Sequence, residues 1–406
     1  MVGVQRRSIL EAAGLVGAVL VTGKGDRRPY RDDLAAAQQQ FAATEAQMAH
    51  MQDQVAAAAN EPPSGYTVPN SADAIQATVD SGPAFLPNGD WLLTKQLRNS
   101  DGFDLLLAPG ATLWRTWASS TGATGAMIAN RVYDMAKPAK GFRLRGGHLA
   151  SKPGMSGGVL APYSDDQEIR DLTLDYWIGG RAFVGGGERP LHDSIRGTSA
   201  SYYYSLGPDQ PAGSGCGGWR WVVGGGGKIT NLALTSGDDV LQYVPSGSPA
   251  DPFFNGPDIH DMAYEDCAVR SYKARPTVIG LQAGHDPEGS TRSGMQSGVH
   301  RVAFRRIRGR TSGTPINIAN HHSGGGISDV VFDDVVIVQD GLAGRIGQPH
   351  EIYVLTYDGL GDVTRIDLSG AKVIELTNNR LKPNGPKGYF GTKGPVGTVI
   401  PPAAVA

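Results

Sequence analysis

The sequence predicts an all-β chain, a solenoid of stacked coils of short strands, preceded by an N-terminal α-helical coiled coil. Three observations carry that expectation. One strand pattern (apolar, any, polar, apolar, any, apolar) recurs six times between Ile169 and Leu368. The chain holds 57 Gly and 26 Pro, and long apolar helical patterns are scarce after residue 82, which favours many short strands and turns. Apolar residues near the N-terminus recur every seventh position. A chain of 406 residues suits one elongated domain with an appended segment.

Residues 1–32 read as an attachment segment. Arg6 and Arg7 precede an apolar stretch, which resembles a twin-arginine export signal. The uninterrupted run Ala12 to Val21 has Glu11 at its edge, and no A-x-A site comes before Lys24. It is too short to span a bilayer. The alternative is a short helix packed against a partner. In 33–61, Leu34, Phe41, Met48 and Val55 occupy heptad a positions, and Ala37, Thr44, Met51 and Ala58 the d positions. This is a coiled-coil trimerisation helix or, alternatively, one amphipathic helix lying on the body. Pro62 and Pro63 end it.

A second helix is expected in "SADAIQATVDSG", with Ser71 as cap and Ala74, Ile75 and Val79 as its apolar face, covering the open end of the strand-rich region C-terminal to it. "WLLTKQL", "FDLLLAPGATLW" and "FRLRGGHLA" then read as strands separated by turns. The recurring pattern is "IRDLTL", "ITNLAL", "IHDMAY", "VHRVAF", "ISDVVF" and "VTRIDL", starting at Ile169, Ile229, Ile259, Val299, Ile327 and Val363. Starts 28 to 60 residues apart indicate coils of a solenoid with insertions, each burying its apolar face against the next. The polar third residue suits a turn, since its side chain can bond nearby backbone. A β-sandwich or a propeller is the alternative, although a propeller needs more regular blades.

On these coils the chain resembles the right-handed parallel β-helix of the pectate-lyase-like group. The resemblance covers roughly residues 65–380, within a domain of 62–390 followed by an extended C-terminal tail, 391–406. A coiled coil ahead of a β-helix further resembles a trimeric bacteriophage tailspike or minor tail protein. That likeness implies a homotrimer in the virion tail, joined to other tail proteins through its N-terminal segment. It also implies that the β-helix binds and depolymerises a bacterial surface polysaccharide. Two alternatives stand beside it: a secreted hydrolase or lyase that is extracellular after export, and a non-catalytic receptor-binding tail fibre.

Insertions in a β-helix emerge on one side and build a groove. The largest is expected between Gly179 and Lys228, with Tyr202, Tyr203, Tyr204, Trp219 and Trp221 among glycines. Such rings either stack on sugars or, for Trp219 and Trp221 at strand spacing, pack inward. Asp238 and Asp239 come directly after the strand "ITNLALT". Polygalacturonase-like hydrolases carry Gly-Asp-Asp in a similar context, then Gly-His and Arg-x-Lys. Gly237, Asp238 and Asp239 resemble the first motif, and Gly284 with His285 the second. The family's earlier Asn-Thr-Asp is missing, and "TPINIAN" stands where Arg-x-Lys belongs.

Glycoside hydrolysis needs one carboxylic acid to protonate the leaving oxygen and one carboxylate to activate water. Adjacent like charges raise one pKa, so either aspartate could be the acid. The alternative is a plain Asp-Asp turn, as also at Asp165–Asp166 and Asp333–Asp334. Asp193 is a further candidate carboxylate and His285 an oriented base, whereas Asp171 and Asp261 read as turn residues. A lyase would draw on Lys273, Arg275 or Arg292, which form no pattern. His321 and His322 lack an evident third ligand, so no metal is expected, and no nucleotide, flavin or haem motif is present. Net charge is −2, with 37 basic and 39 acidic residues, which leaves no basic stripe for nucleic acid. Cys216 and Cys267 allow a disulfide without requiring one.

Overall fold

The computed structural model describes residues 61–402, apart from 118–125, 131–137, 153–156, 178–179, 200–215, 246–256, 272–276, 284–295, 312, 322–323, 340–351, 357–360, 378–379, 383–389 and 394–395. The expected attachment segment and all of the coiled coil except Glu61 lie outside the described residues. The described part is all-β with one short helical cap. A 3-10 turn, Ala72–Ala74, runs into the helix Ile75–Ser81. Ser71 stands at the N-cap, but its side chain makes no capping bond. Anchorage comes instead from Ile75 and Val79, both buried in one core with Phe85 and Leu97. Burying two such side chains contributes about 3–6 kcal/mol.

Almost all strand pairing is parallel, in two ladders. In the first, Glu168–Asp175, Leu191–Thr198 and the second half of Cys216–Ser236 pair in succession. Ile259–Glu265, Val299–Thr311, Ile327–Gln339 and Val363–Asp367 extend it. In the second, Gly180–Gly186 pairs with the first half of Cys216–Ser236, followed by Leu241–Tyr243, Ile279–Ala283, Ile316–Asn320 and Ile352–Thr356. One long strand, Cys216–Ser236, therefore serves both ladders.

The registers place like with like. Leu144, Ile169, His192, Ile229, Tyr264, Phe304 and Phe332 stand in one interior column. Leu160, Phe183, Trp219, Leu241, Ile279 and Ile316 form another. Every member of both is buried. Aromatic rings stack along them: Phe183 on Trp219 at 4.5 Å and 8°, Phe304 on Phe332 at 5.1 Å and 17°. Such contacts add to area burial.

Two corners per rung bend the first ladder, each at a residue with positive φ. Asp166 and Asp171, Arg189 and Ser194, Asp261 and Asp266, Arg301 and Arg306, and Asp329 and Asp334 all have φ between 50 and 57°. Gly226 and Asn231 complete the set. Asp and Asn tolerate this left-handed region better than other non-glycine residues, which explains the polar third position of the sequence pattern. Asp171 and Asp261, expected as turn residues, sit at such corners.

The corners also correct the sequence alignment. Both require the same local pattern, so "ITNLAL" marks the second corner of its rung and "IHDMAY" the first of the next. The register partner of Ile229 is Tyr264, while Ile259 stands opposite Gly224. Two-point Arg–Asp pairs link rungs at the corners, as in Arg301–Asp261, Arg306–Asp266 and Arg365–Asp329. These are solvent-exposed and individually worth less than about 1 kcal/mol; they favour one register over its neighbours.

The expected insertion between Gly179 and Lys228 is largely regular structure. Residues 180–186, 191–198 and 216–228 are strands of both ladders, leaving 200–215 as the segment outside the described residues. The glycines that suggest a loop serve close packing here: a Cβ on Gly225 would lie 1.7 Å from the His260 carbonyl oxygen. At the far end, Phe390–Lys393 and Val399–Ile400 pair in parallel with earlier strands, where an extended tail was expected. No helix among the described residues is long and apolar enough to cross a membrane.

Candidate functional site

Strand alternation decides what faces outward on the second ladder. Trp219 and Trp221 are interior, so Arg220 between them points out. Leu241 and Tyr243 are interior, leaving Gln242 outside, and Asn317 lies between Ile316 and Ile318 in the same way. Registers align Val184, Arg220, Gln242, Gly280 and Asn317 as one outer row.

The Gly237–Val240 turn brings the aspartate pair to this row. Gln242 is buried and central: its Oε1 accepts from Arg220 Nε at 2.9 Å, and its Nε2 donates to Asp239 Oδ2 at 2.7 Å. The Thr277 backbone N–H donates to Asp239 Oδ1 at 2.7 Å. Ser236 Oγ accepts from the Asp238 N–H at 3.2 Å and shapes the turn. Arg181 lies across Gly217, where a Cβ would come within 2.2 Å of its Nη1. That Nη1 is buried and has no hydrogen-bond partner.

Enclosure governs the charges. Burial, and then the neighbouring Asp238, push the Asp239 carboxyl above the ordinary carboxylate range; Arg181, the Thr277 N–H and Arg220 oppose them only in part. Burial, reinforced by Arg181, pushes the Arg220 guanidinium down to about 9. A carboxyl biased toward its neutral, proton-donating form thus stands beside a second aspartate and two arginines. This is a chemistry of proton transfer and anion contact.

The other sequence candidates fall elsewhere. Trp219 and Trp221, expected as sugar-binding rings, are fully buried and stack on Phe183 at 4.5 and 5.8 Å. Their inward reading is the correct one, because at strand spacing both share the core face. Asp193, expected as a further acid, is not brought to the pair. It accepts from Thr230 Oγ1 at 2.5 Å and Asn231 Nδ2 at 2.7 Å, clamping a corner of the first ladder. Tyr202, Tyr203, Tyr204, Gly284, His285, Lys273, Arg275, Arg292 and His322 lie outside the described residues.

Asp166 and Asp334 are corner residues, so the Asp-Asp doublet recurs in purely structural settings. Among the described residues, no group of three or more His, Cys, Asp or Glu could hold a metal. Cys216 and Cys267 are free and buried, and burial pushes the Cys267 thiol up to about 12. Arg181, Arg220 and Gln242 were missed. The signal was present for one of them, since a polar residue between two tryptophans in "WRW" has to face away from the core.

No family model matches the sequence, and no curated protein matches it. Among solved structures, the chain is similar to the crystal structure of PfbA, a surface adhesin of Streptococcus pneumoniae. The identity is 11% and the TM-score 0.34, over 75% of this chain and 84% of that one. A likeness this slight carries no argument about function.

Proposed function

We propose that the protein is a right-handed parallel β-helix of tailspike type that binds a bacterial surface polysaccharide along its outer polar row and cleaves it by hydrolysis. In this reading the N-terminal heptads trimerise the chain and the first 32 residues join it to a phage tail. The observation that carries the catalytic part is the Asp238–Asp239 turn, with the Asp239 carboxyl shifted toward its protonated form beside the Arg181–Arg220–Gln242 row. Asp239 gives its proton to the leaving glycosidic oxygen. Asp238 takes a proton from the water that attacks the anomeric carbon, and the products together are heavier than the polymer by that water.

One observation favours a binding-only reading. Both Asp239 oxygens already accept hydrogen bonds, from Gln242 and Thr277, as they would in a turn with a purely structural purpose. Mass spectrometry after incubation with a panel of bacterial surface polysaccharides separates the two. Oligosaccharides with one added water per cleavage support hydrolysis, unsaturated ends indicate a lyase, and intact polymer in every case refutes cleavage.

A further inference from the structure

We propose that Arg181 and Arg220 form a subsite for a carboxylate-bearing sugar, their two guanidinium groups clamping the acid group of one residue in the bound polymer. The inference rests on the polysaccharide reading above and names the class of sugar it takes.

The arginines of the first ladder set the contrast. Arg189, Arg301, Arg306, Arg308 and Arg365 each reach an aspartate on a neighbouring rung. Arg181 stands close enough to Arg220 to disfavour its charge, yet neither has a carboxylate at ion-pair distance among the described residues. Arg220 is held only by the Gln242 amide oxygen, at 2.9 Å. Arg181 keeps a buried, unpartnered Nη1. Enclosed guanidinium groups without an anion are costly. The nearby Asp239 does not supply one, because its oxygens are committed to Gln242 and Thr277 and its carboxyl is shifted toward neutrality.

A planar guanidinium fork matches the two oxygens of a carboxylate. Farther along the same row, Asn317 Oδ1 is also buried without a partner. It lies three rungs from Arg220, about 14 Å at the usual strand spacing, and can accept from a hydroxyl of the same extended chain. A phosphate substituent would present similar chemistry, so the experiment has to separate the two sources.

Saturation-transfer NMR titrations of the full chain with sodium glucuronate, glucose and inorganic phosphate test the assignment. Glucuronate should bind at least about 10-fold more tightly than glucose, the usual cost of leaving a charged hydrogen-bonding group unmatched. Arg181→Gln and Arg220→Gln should each weaken glucuronate by about 10-fold or more and leave glucose unchanged, while Arg181→Lys, which keeps the charge, should retain part of the affinity. Thermal midpoints certify that each variant is folded. Should one glutamine variant fail to fold, the other and Arg181→Lys decide.

Equal binding of glucose and glucuronate, no binding of glucuronate, or full affinity in the folded variants overturns the subsite. Tighter binding of phosphate than of glucuronate overturns the carboxylate assignment in favour of a phosphorylated glycan. If glucuronate binds as expected but no polymer is cleaved, the hydrolase reading falls and the subsite stands.

Discussion

His192 should make the fold acid-sensitive, and the size of the effect can be worked from its surroundings. It occupies an interior column between Ile169 and Ile229, is fully buried, and lies edge-on to Phe183, Trp219 and Trp221. Trp219 Nε1–H donates to its Nδ1 at 3.2 Å, which puts the imidazole proton on Nε2, where it has no partner. Burial pushes its pKa down to about 3, whereas the unfolded chain titrates near 6.5. Between those values the unfolded state holds a proton that the folded state does not. Stability from this residue is therefore full above about pH 6.5 and falls as the pH drops through the window. At pH 5 the gap is about 1.5 units, or about 2 kcal/mol.

Leucine at position 192 continues an aliphatic column and cannot titrate. Urea unfolding followed by tryptophan fluorescence at about pH 7.5 and about pH 5, for wild type and His192→Leu, measures the difference. The wild type should lose about 2 kcal/mol more than the variant on acidification. Equal losses in the two proteins would refute the buried neutral imidazole as the cause.

Two further predictions concern how the rungs are built. Gly225→Ala should cost about 3 kcal/mol or more, because its Cβ would meet the His260 carbonyl oxygen at 1.7 Å and separate two rungs; a wild-type thermal midpoint in that variant would count against the register. At the corner Asp261, with φ 50°, Asp261→Gly should stay within about 0.5–1 kcal/mol of wild type, since only an exposed ion pair is lost. Asp261→Val should cost about 1–2 kcal/mol more than the glycine variant, because a β-branched residue resists the left-handed region; equal midpoints for the two would argue against that corner.

The β-rich character was legible because each corner leaves a local mark, a polar residue or glycine at positive φ between apolar neighbours. Register was not legible, because the two corners of a rung leave the same mark five residues apart. Only pairing across rungs tells Ile259 from Tyr264 as the partner position of the Ile229 rung. The candidate site was half legible for a similar reason. Asp238 and Asp239 announce themselves as a doublet, but Asp239 gains its environment from Thr277, 38 residues on, and Arg220 meets Arg181 only through the parallel register of two strands. Trp219 and Trp221 were ambiguous in sequence, since a glycine-rich context fits both a loop and a tightly packed strand. The close approaches at Gly217 and Gly225 belong to the strand.

The central claim is that the aspartate pair cleaves a polysaccharide, and product analysis of single variants tests it most directly. Wild type, Asp238→Asn and Asp239→Asn are incubated in parallel with each polysaccharide of the panel, and oligosaccharide products are weighed and counted by mass spectrometry. Water-added fragments from the wild type, reduced at least about 100-fold in each folded variant, are the predicted result. Undiminished products in either variant, or none from the wild type although polymer is bound, would contradict the claim and leave a β-rich binding protein in its place.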